Sequence, residues 1–267
     1  MAYLILGAGF TGSRVAALLG ARGDPTIATV RPGADRTPAE VAGVEPIRLD
    51  ADDPVSRHAL VRRLMGEGDA HRVLVTFPPA HLPDGGERTA AILEALRGRV
   101  ARVVMISSTT VYGKVVRVDA STAAAPEGDR ERLYLEAERM VRGGPWAGLV
   151  LRASAIYGPG RGVLAEGGPR FSQARSLDAV ISRIHADDLA AVAAAALDSD
   201  LEGTYPVADE APASGREQLA VWGGIPFSPP EGRPDPEGSR RVDGHAILAA
   251  LGVTLRYPSY RDALAMP

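Results

Sequence analysis

The chain contains no cysteine among its 267 residues, and its only lysine is Lys114. The lack of cysteine excludes disulfide bonds, thiolate metal sites and cysteine nucleophiles. No uninterrupted apolar stretch is long enough for a membrane span, and a formal net charge of −3 gives no reason to expect nucleic acid or an anionic membrane as a partner. We therefore expect a cytoplasmic protein whose cationic side chains are almost all arginines.

The N-terminus carries the most informative motif. The apolar run Tyr3–Leu6 is followed directly by G-A-G-F-T-G, and then by a helical pattern that begins at Ser13. A strand, a G-x-G-x-x-G turn and a helix in this order are typical of dinucleotide binding, because the glycines permit a tight turn and a close approach to a pyrophosphate. The helix N-terminus adds free N–H groups. The residues of this turn that we predict to bind the cofactor are Gly7, Gly9, Phe10, Thr11 and Gly12.

Strand and helix patterns alternate through about residue 200. This alternation predicts an α/β fold, a Rossmann-type doubly wound parallel sheet with helices on both faces. The predicted strands are Tyr3–Leu6, Thr26–Val30, Glu45–Leu49, Arg72–Phe77, Arg102–Ile106 and Gly148–Arg152. The main predicted helices are Ser13–Ala21, Val55–Met65, Arg88–Leu96, Arg130–Arg142 and Ala186–Leu197.

Beyond Thr204 the prolines cluster and only two short helices are predicted, Gly215–Val221 and Asp243–Leu251, which indicates a small C-terminal substrate lobe. The predicted divisions are a dinucleotide-binding core at 1–155, a substrate-loop insertion at 156–182, a core helix with a return to the sheet at 183–204, and the lobe at 205–267.

The carboxyl ends of the strands are where an open parallel sheet binds its ligand. The second predicted strand is followed by Arg31, with Arg36 nearby, where an NAD-specific protein usually has an acidic residue. A guanidinium is permanently charged and binds phosphate bidentately, so we predict NADP rather than NAD, the alternative being that Arg31 is a solvated surface residue. Asp50 is predicted to border the adenine, and Thr76 and Pro78 to lie on the ribose or nicotinamide side of the cofactor.

Four motifs occur in the order found in one large family. They are G-A-G-F-T-G at 7–12, S-S-T-T-V-Y-G at 107–113, Y-G-P-G-R at 157–161 and R-I-H-A-D-D at 183–188. With these motifs the chain resembles the short-chain dehydrogenase/reductase superfamily, in its extended, epimerase/dehydratase-like branch. The resemblance covers nearly the whole chain. It implies an NAD(P)-binding oxidoreductase or epimerase-like protein, with Ser107 and Tyr157 also beside the cofactor.

The resemblance further implies that the Ser108 hydroxyl binds the reacting oxygen of the substrate. The family's Tyr-x-x-x-Lys pair, in which the tyrosine is the general acid/base, falls on Arg130 and Tyr134 when the helix is aligned on Glu138. No Tyr-x-x-x-Lys occurs in the chain, so it resembles the atypical members. Arginine cannot donate the proton, because its pKa stays above about 12. The candidate donors are Tyr134 and Tyr112, and the alternative for Tyr134 is a tyrosine that only packs in the helix.

Several arginines follow the Y-G-P-G-R loop and make the predicted substrate region basic, which favours an anionic substrate. The alternative is that arginine simply replaces lysine throughout this chain. The segment 162–182 is short, which favours a small substrate over a nucleotide sugar. The histidines show no i,i+4 spacing, so no metal site is predicted. We predict substrate contacts from Arg130 and Arg161, in a region that also contains Arg170, Arg175 and Arg183.

Two functions are consistent with these patterns. In the first, the protein is an NADP-dependent oxidoreductase that acts on a small carbonyl or alcohol compound, with Ser108 holding the oxygen and Tyr134 or water supplying the proton. In the second, it is a non-catalytic NADP-binding protein with a structural or redox-sensing role. The retained loops favour the enzyme, whereas the missing acid/base pair favours the second function. The expected state is a monomer or a homodimer.

Overall fold

A central sheet of seven parallel strands organises the molecule. The computed structural model describes residues 2–33, 44, 46–65, 71–77, 85–171, 176–228 and 234–265. The strand order is β3-β2-β1-β4-β5-β7-β11, and every neighbouring pair is parallel. This arrangement confirms the predicted Rossmann-type fold. The strands are β1 (Tyr3–Leu6), β2 (Thr26–Val30), β3 (Pro46–Arg48), β4 (His71–Val75), β5 (Val100–Ser108), β7 (Ala147–Ala153) and β11 (Gly203–Val207).

Helices cover both faces of this sheet. Alternate residues of a strand point to opposite faces, and in β1 Ile5 joins one buried cluster while Leu4 and Leu6 join the other. Helices α1 and α5 contribute to the first cluster, and α2, α3 and α4 to the second. The helices of the described chain are α1 (Gly12–Ala21), α2 (Pro54–Met65), α3 (Gly85–Ala95), α4 (Asp129–Gly143), α5 (Ala186–Asp198), α6 (Gly215–Trp222), α7 (His245–Leu251) and α8 (Tyr260–Ala265).

The C-terminal lobe is built from short strand pairs. One parallel pair continues from the core, and the antiparallel pair lies beside α6. A third cluster of buried residues, which includes Tyr157 and Tyr260, holds this part together. The lobe pairs are β8 (Ala155–Tyr157) with β10 (Arg183–His185), β9 (Val180–Ile181) with β12 (Ala213–Ser214), and β6 (Arg117–Val118) with β13 (Arg241–Val242).

The sequence predicts a return to the sheet within 183–204 but gives no bounds for the seventh strand, β11. The predicted boundary between 204 and 205 falls inside this strand, which contains Pro206. Because β11 is an edge strand, a proline is tolerated there, yet the same proline hides the strand in the sequence. Further on, Ile247 and Leu255 pack into the core cluster of α1 and α5, so part of 205–267 belongs to the core. None of the described helices has the length and apolar character that a membrane span needs.

Candidate active site

The glycine-rich turn has the geometry that a dinucleotide requires. Gly7 has φ +103°, which favours glycine. A Cβ on Gly12 would lie 2.1 Å from the Gly7 carbonyl oxygen, so the helix can approach the strand only with glycine there. A Cβ on Gly9, in contrast, would meet nothing within 4 Å. The turn therefore has no room for a side chain at Gly7 or Gly12, whereas the space beside Gly9 is open. This open space fits a pyrophosphate.

The strand-end residues beside this turn have distinct environments. The Thr76 hydroxyl donates to the Leu6 carbonyl at 3.1 Å and also lies against the Gly7 carbonyl, so it stabilises the turn. Arg31 is exposed directly after β2. The Asp50 carboxylate accepts the Asp52 N–H at 3.0 Å, just before α2. Arg36, Pro78 and Arg175 lie outside the described residues.

Ser107 and Tyr112 belong to an internal network. The Ser107 hydroxyl donates to Glu138 Oε1 at 2.5 Å, and Arg152 forms a buried bidentate pair with the same carboxylate, with Nη2 2.7 Å from Oε2. The Arg152 guanidinium lies 4.8 Å from the centroid of the Tyr112 ring. Burial raises the pKa of Tyr112, although Arg152 opposes this. These positions argue against the catalytic role predicted for Tyr112 and against a cofactor contact from the Ser107 hydroxyl.

Ser108 lies at the carboxyl end of β5, where it caps the short 3₁₀ helix Thr109–Tyr112. Its Oγ accepts the Thr110 N–H at 3.2 Å and lies 3.0 Å from Thr110 Oγ1. The side chain is only half-buried and lines a cavity. Because the Thr110 N–H binds a lone pair of the Ser108 Oγ, the hydroxyl hydrogen of Ser108 can be donated to a substrate oxygen.

Arg130 and Tyr134 occupy successive turns of α4 but different environments. Arg130 is exposed and lines the same cavity as Ser108. Tyr134 is buried at 6% exposure in the cluster under α4. Burial raises the pKa of the Tyr134 phenol, and the adjacent Arg130 guanidinium opposes that rise. The guanidinium is therefore the group presented to the cavity, and the phenol lies beside it in the core.

The cavity has a volume of about 560 Å³ and lies between the carboxyl ends of β5 and β7 and the C-terminal lobe. None of its described lining residues is an aspartate or a glutamate. Burial lowers the pKa of Arg183 to about 10, while Asp209 opposes this. A cavity lined by cations without carboxylates attracts anions. The arginines that line it are Arg130, Arg161, Arg170, Arg183 and Arg240.

Tyr157 forms part of the cavity wall at 1% exposure. Its phenol has no hydrogen-bond partner among the described residues, and burial, with Asp209 next, raises its pKa. The ring packs edge-on against His185 with centroids 5.1 Å apart. His185 Nδ1 accepts the Asp187 N–H at 3.2 Å at the start of α5, which gives this histidine a structural role.

The Glu138–Arg152 pair was not assigned from the sequence. The spacing of Tyr134, Glu138 and Val141 places Glu138 on the buried face of α4, and Arg152 is the one charged residue of the otherwise apolar strand β7. Each is unusual at a buried position. Two charged residues at buried positions could have indicated an ion pair, although their spacing in the sequence does not show that they contact each other.

The fold, the open glycine-rich turn and the polar cavity beside it define an NAD(P)-dependent oxidoreductase or epimerase-like enzyme. A model of the NAD dependent epimerase/dehydratase family matches residues 3–208. The chain therefore belongs to this family, as its four motifs indicated.

Individual relatives agree with this assignment. A 3-diazoavenalumate denitrifying reductase from Streptomyces sp. is 29% identical over 244 residues, which cover 82% of this chain and 75% of that protein. A structure from Methylobacillus flagellatus, classed with the NAD-dependent epimerases/dehydratases, is 27% identical with a TM-score of 0.75, covering 99% of this chain and 96% of its own. The NAD complex of Thermus thermophilus UDP-glucose 4-epimerase has a TM-score of 0.73, covers 99% of this chain and 96% of its own, and shows the common fold at 19% identity.

Proposed function

We propose that the protein is an NADP-dependent reductase of a small, anionic carbonyl compound. The observation that carries this proposal is the cavity at the strand ends, where Ser108 and Arg130 lie on a wall that contains no described carboxylate. The reductase from Streptomyces sp. supports reduction rather than epimerisation. The short segment after Tyr157 supports a small substrate.

Two groups of this chain act on the reacting oxygen. Ser108 donates its hydroxyl hydrogen to that oxygen. This hydrogen is available because the Ser108 Oγ accepts the Thr110 backbone N–H and does not donate to it. The Arg130 guanidinium stabilises the negative charge that develops there, in the manner of an oxyanion site. A bound nicotinamide cofactor supplies the hydride. The proton comes from water or from Tyr134. Because the Tyr134 phenol is buried, it can reach the substrate only after Arg130 is displaced.

The rest of the cavity recognises the anionic group of the substrate. Arg170 lines this part of the cavity from the loop after the 3₁₀ helix Gly162–Leu164, and the only described hydrogen-bond partner of its guanidinium is the Glu166 carbonyl at 3.4 Å. Arg183 is held deeper, with Nη1 donating to the Ala213 carbonyl at 2.9 Å. A guanidinium that keeps unused N–H donors suits a carboxylate or a phosphate.

The preference for NADP rests on Arg31. This residue is exposed immediately after β2, the strand next to β1 in the sheet. A permanently charged guanidinium at that position suits a 2′-phosphate.

Replacement of Ser108 tests the catalytic part of the proposal. We expect Ser108→Ala to lower kcat about 10²- to 10³-fold, the usual effect of removing one donor to a developing oxyanion, with the Kd for NADPH nearly unchanged. The measurement is NADPH oxidation at 340 nm with a panel of small keto acids and aldehydes, together with a fluorescence titration. Ser121→Ala is the control, because Ser121 is exposed and bonded to Asp119 outside the cavity. Unchanged turnover in Ser108→Ala would contradict the role of Ser108.

The second candidate is a non-catalytic NADP-binding protein. The observation that favours it is the burial of both candidate phenols: Tyr134 lies in the core, and the hydroxyl of Tyr157, the tyrosine among the described lining residues, is itself buried. It predicts cofactor binding with no turnover for any carbonyl compound, and Ser108→Ala would then change nothing measurable.

A further inference from the structure

The glycine-rich turn carries an aromatic ring that contacts two arginines. The ring belongs to Phe10, which follows Gly9. The Arg14 guanidinium carbon lies 4.1 Å from the ring centroid, and that of Arg161 lies 5.0 Å from it. The Y-G-P-G-R loop packs on the same ring, since a Cβ on Gly158 would lie 3.2 Å from Phe10 Cζ. The ring therefore links the turn to the loop that carries Arg161.

The charges of the two arginines are balanced differently. Arg14 Nε donates to Asp187 Oδ1 at 2.8 Å, and its Nη1 donates to the Phe10 carbonyl at 2.5 Å. Arg161 has no carboxylate partner within the described part of the chain. Burial, and secondarily Arg14, lower the pKa of Arg161. Among the described residues, the Arg161 guanidinium beside the turn thus has no carboxylate partner, and the residue is exposed, so that an anionic ligand can reach it.

An anion bound by Arg161 would lie close to Gly9. Gly9 precedes Phe10 and has open space where a side chain would be, on the side of the turn that a pyrophosphate approaches. The alternative anion is the substrate, because Arg161 also lines the cavity. The contact with Phe10 favours the cofactor, since it holds the guanidinium against the turn itself.

We propose that Arg161, held on the ring of Phe10, binds the pyrophosphate of the dinucleotide. This assigns to the cofactor a residue that the sequence placed with the substrate, and it rests on the cofactor binding of the proposed function. A guanidinium can form two parallel hydrogen bonds with phosphate oxygens. The ring face also stabilises the cation before the ligand arrives.

The test is a set of fluorescence and calorimetric titrations with Arg161→Gln. The probes are NADPH, NADH and ADP-ribose, which share the pyrophosphate, and 2′-AMP, which lacks it. We expect about a tenfold or larger increase in Kd for the first three, as for a lost hydrogen bond to a charged group, and an unchanged Kd for 2′-AMP. Arg170→Gln is the matched control, because it removes another cavity arginine without a described carboxylate partner, and it should leave all four Kd values unchanged. Phe10→Leu should weaken the same three ligands, less than Arg161→Gln does.

The outcomes separate this proposal from the one on which it rests. If wild-type protein binds none of the dinucleotides, both proposals are overturned. If it binds them and Arg161→Gln binds ADP-ribose equally well while the KM of a turned-over substrate rises, Arg161 is a substrate residue and only this inference is overturned. A thermal melt that matches wild type shows that the variant is folded.

Discussion

The buried charges around Glu138 show how single residues acquire a role that the sequence motif does not reveal. The family resemblance implies that Ser107 lies beside the cofactor and leaves Tyr112 as one of two candidate proton donors, yet both residues contact the Glu138–Arg152 pair. The motif S-S-T-T-V-Y-G thus presents Ser108 to the cavity and uses its flanking polar groups to fix the strand end. Adjacent residues of a strand point to opposite faces, so these neighbouring serines have different surroundings.

The pair predicts a large effect of a small substitution. Glu138→Gln removes the charge that compensates Arg152, which is itself 8% exposed. We expect a loss of about 3–5 kcal/mol in the free energy of unfolding, because an uncompensated charge remains buried. Urea denaturation measures this loss. Glu136→Gln, an exposed change in the same helix, should leave stability unchanged, and equal stabilities of the two variants would refute the importance of the pair.

At the scale of secondary-structure elements, the β1–α1 unit combines two requirements in one turn. Gly12 serves the packing of helix on strand, whereas the space beside Gly9 is open to a ligand. Both are glycines in the sequence, so the motif does not tell them apart. The space around each glycine does tell them apart: a Cβ would overlap the Gly7 carbonyl at Gly12 but would contact nothing at Gly9. This difference exists only in the folded chain, which brings the Gly7 carbonyl beside α1.

Two alanine substitutions separate these requirements. Gly12→Ala should lower the free energy of unfolding by about 1–3 kcal/mol, as overpacking does, because its Cβ would overlap the Gly7 carbonyl at 2.1 Å. Gly9→Ala should keep wild-type stability and lose dinucleotide affinity. Thermal melts and NADPH titrations of both variants measure the two effects. The interpretation would be wrong if Gly12→Ala were as stable as wild type, or if Gly9→Ala bound NADPH normally.

At the scale of the whole molecule, the sheet order creates the site. The strand order changes direction at β1, which has β2 on one side and β4 on the other, and ligands of such sheets bind at that point beyond the carboxyl ends. The segment after Tyr157 and the C-terminal lobe close the cavity from the far side, with Arg170 and Phe171 from the segment and Gln218 from the lobe. The cofactor turn and the arginine-lined cavity are thereby neighbours, although their residues are far apart in the chain.

Binding of the cofactor should stabilise the entire fold. At a hundredfold excess of NADPH over its Kd, the free energy of unfolding should rise by about 2.7 kcal/mol. NADH at the same concentration should stabilise less, and Arg31→Glu should reduce the advantage of NADPH. Thermal unfolding with each nucleotide measures the difference. A preference for NADH in wild type would contradict the role of Arg31, and no response to either nucleotide would contradict the enzyme proposal.

The sequence by itself determined the family, the six predicted sheet strands and the position of the cofactor turn, because these depend on local periodicity and on glycine spacing. It indicated a return to the sheet before residue 205 but not the bounds of β11, whose proline is tolerated because the strand lies at a sheet edge. Nor did it show that Tyr134 is buried while Arg130 faces the cavity, or that Arg161 contacts Phe10. Those facts depend on which distant residues meet. Only tertiary structure decides them, since burial and ion pairing are properties of neighbours in space rather than along the chain.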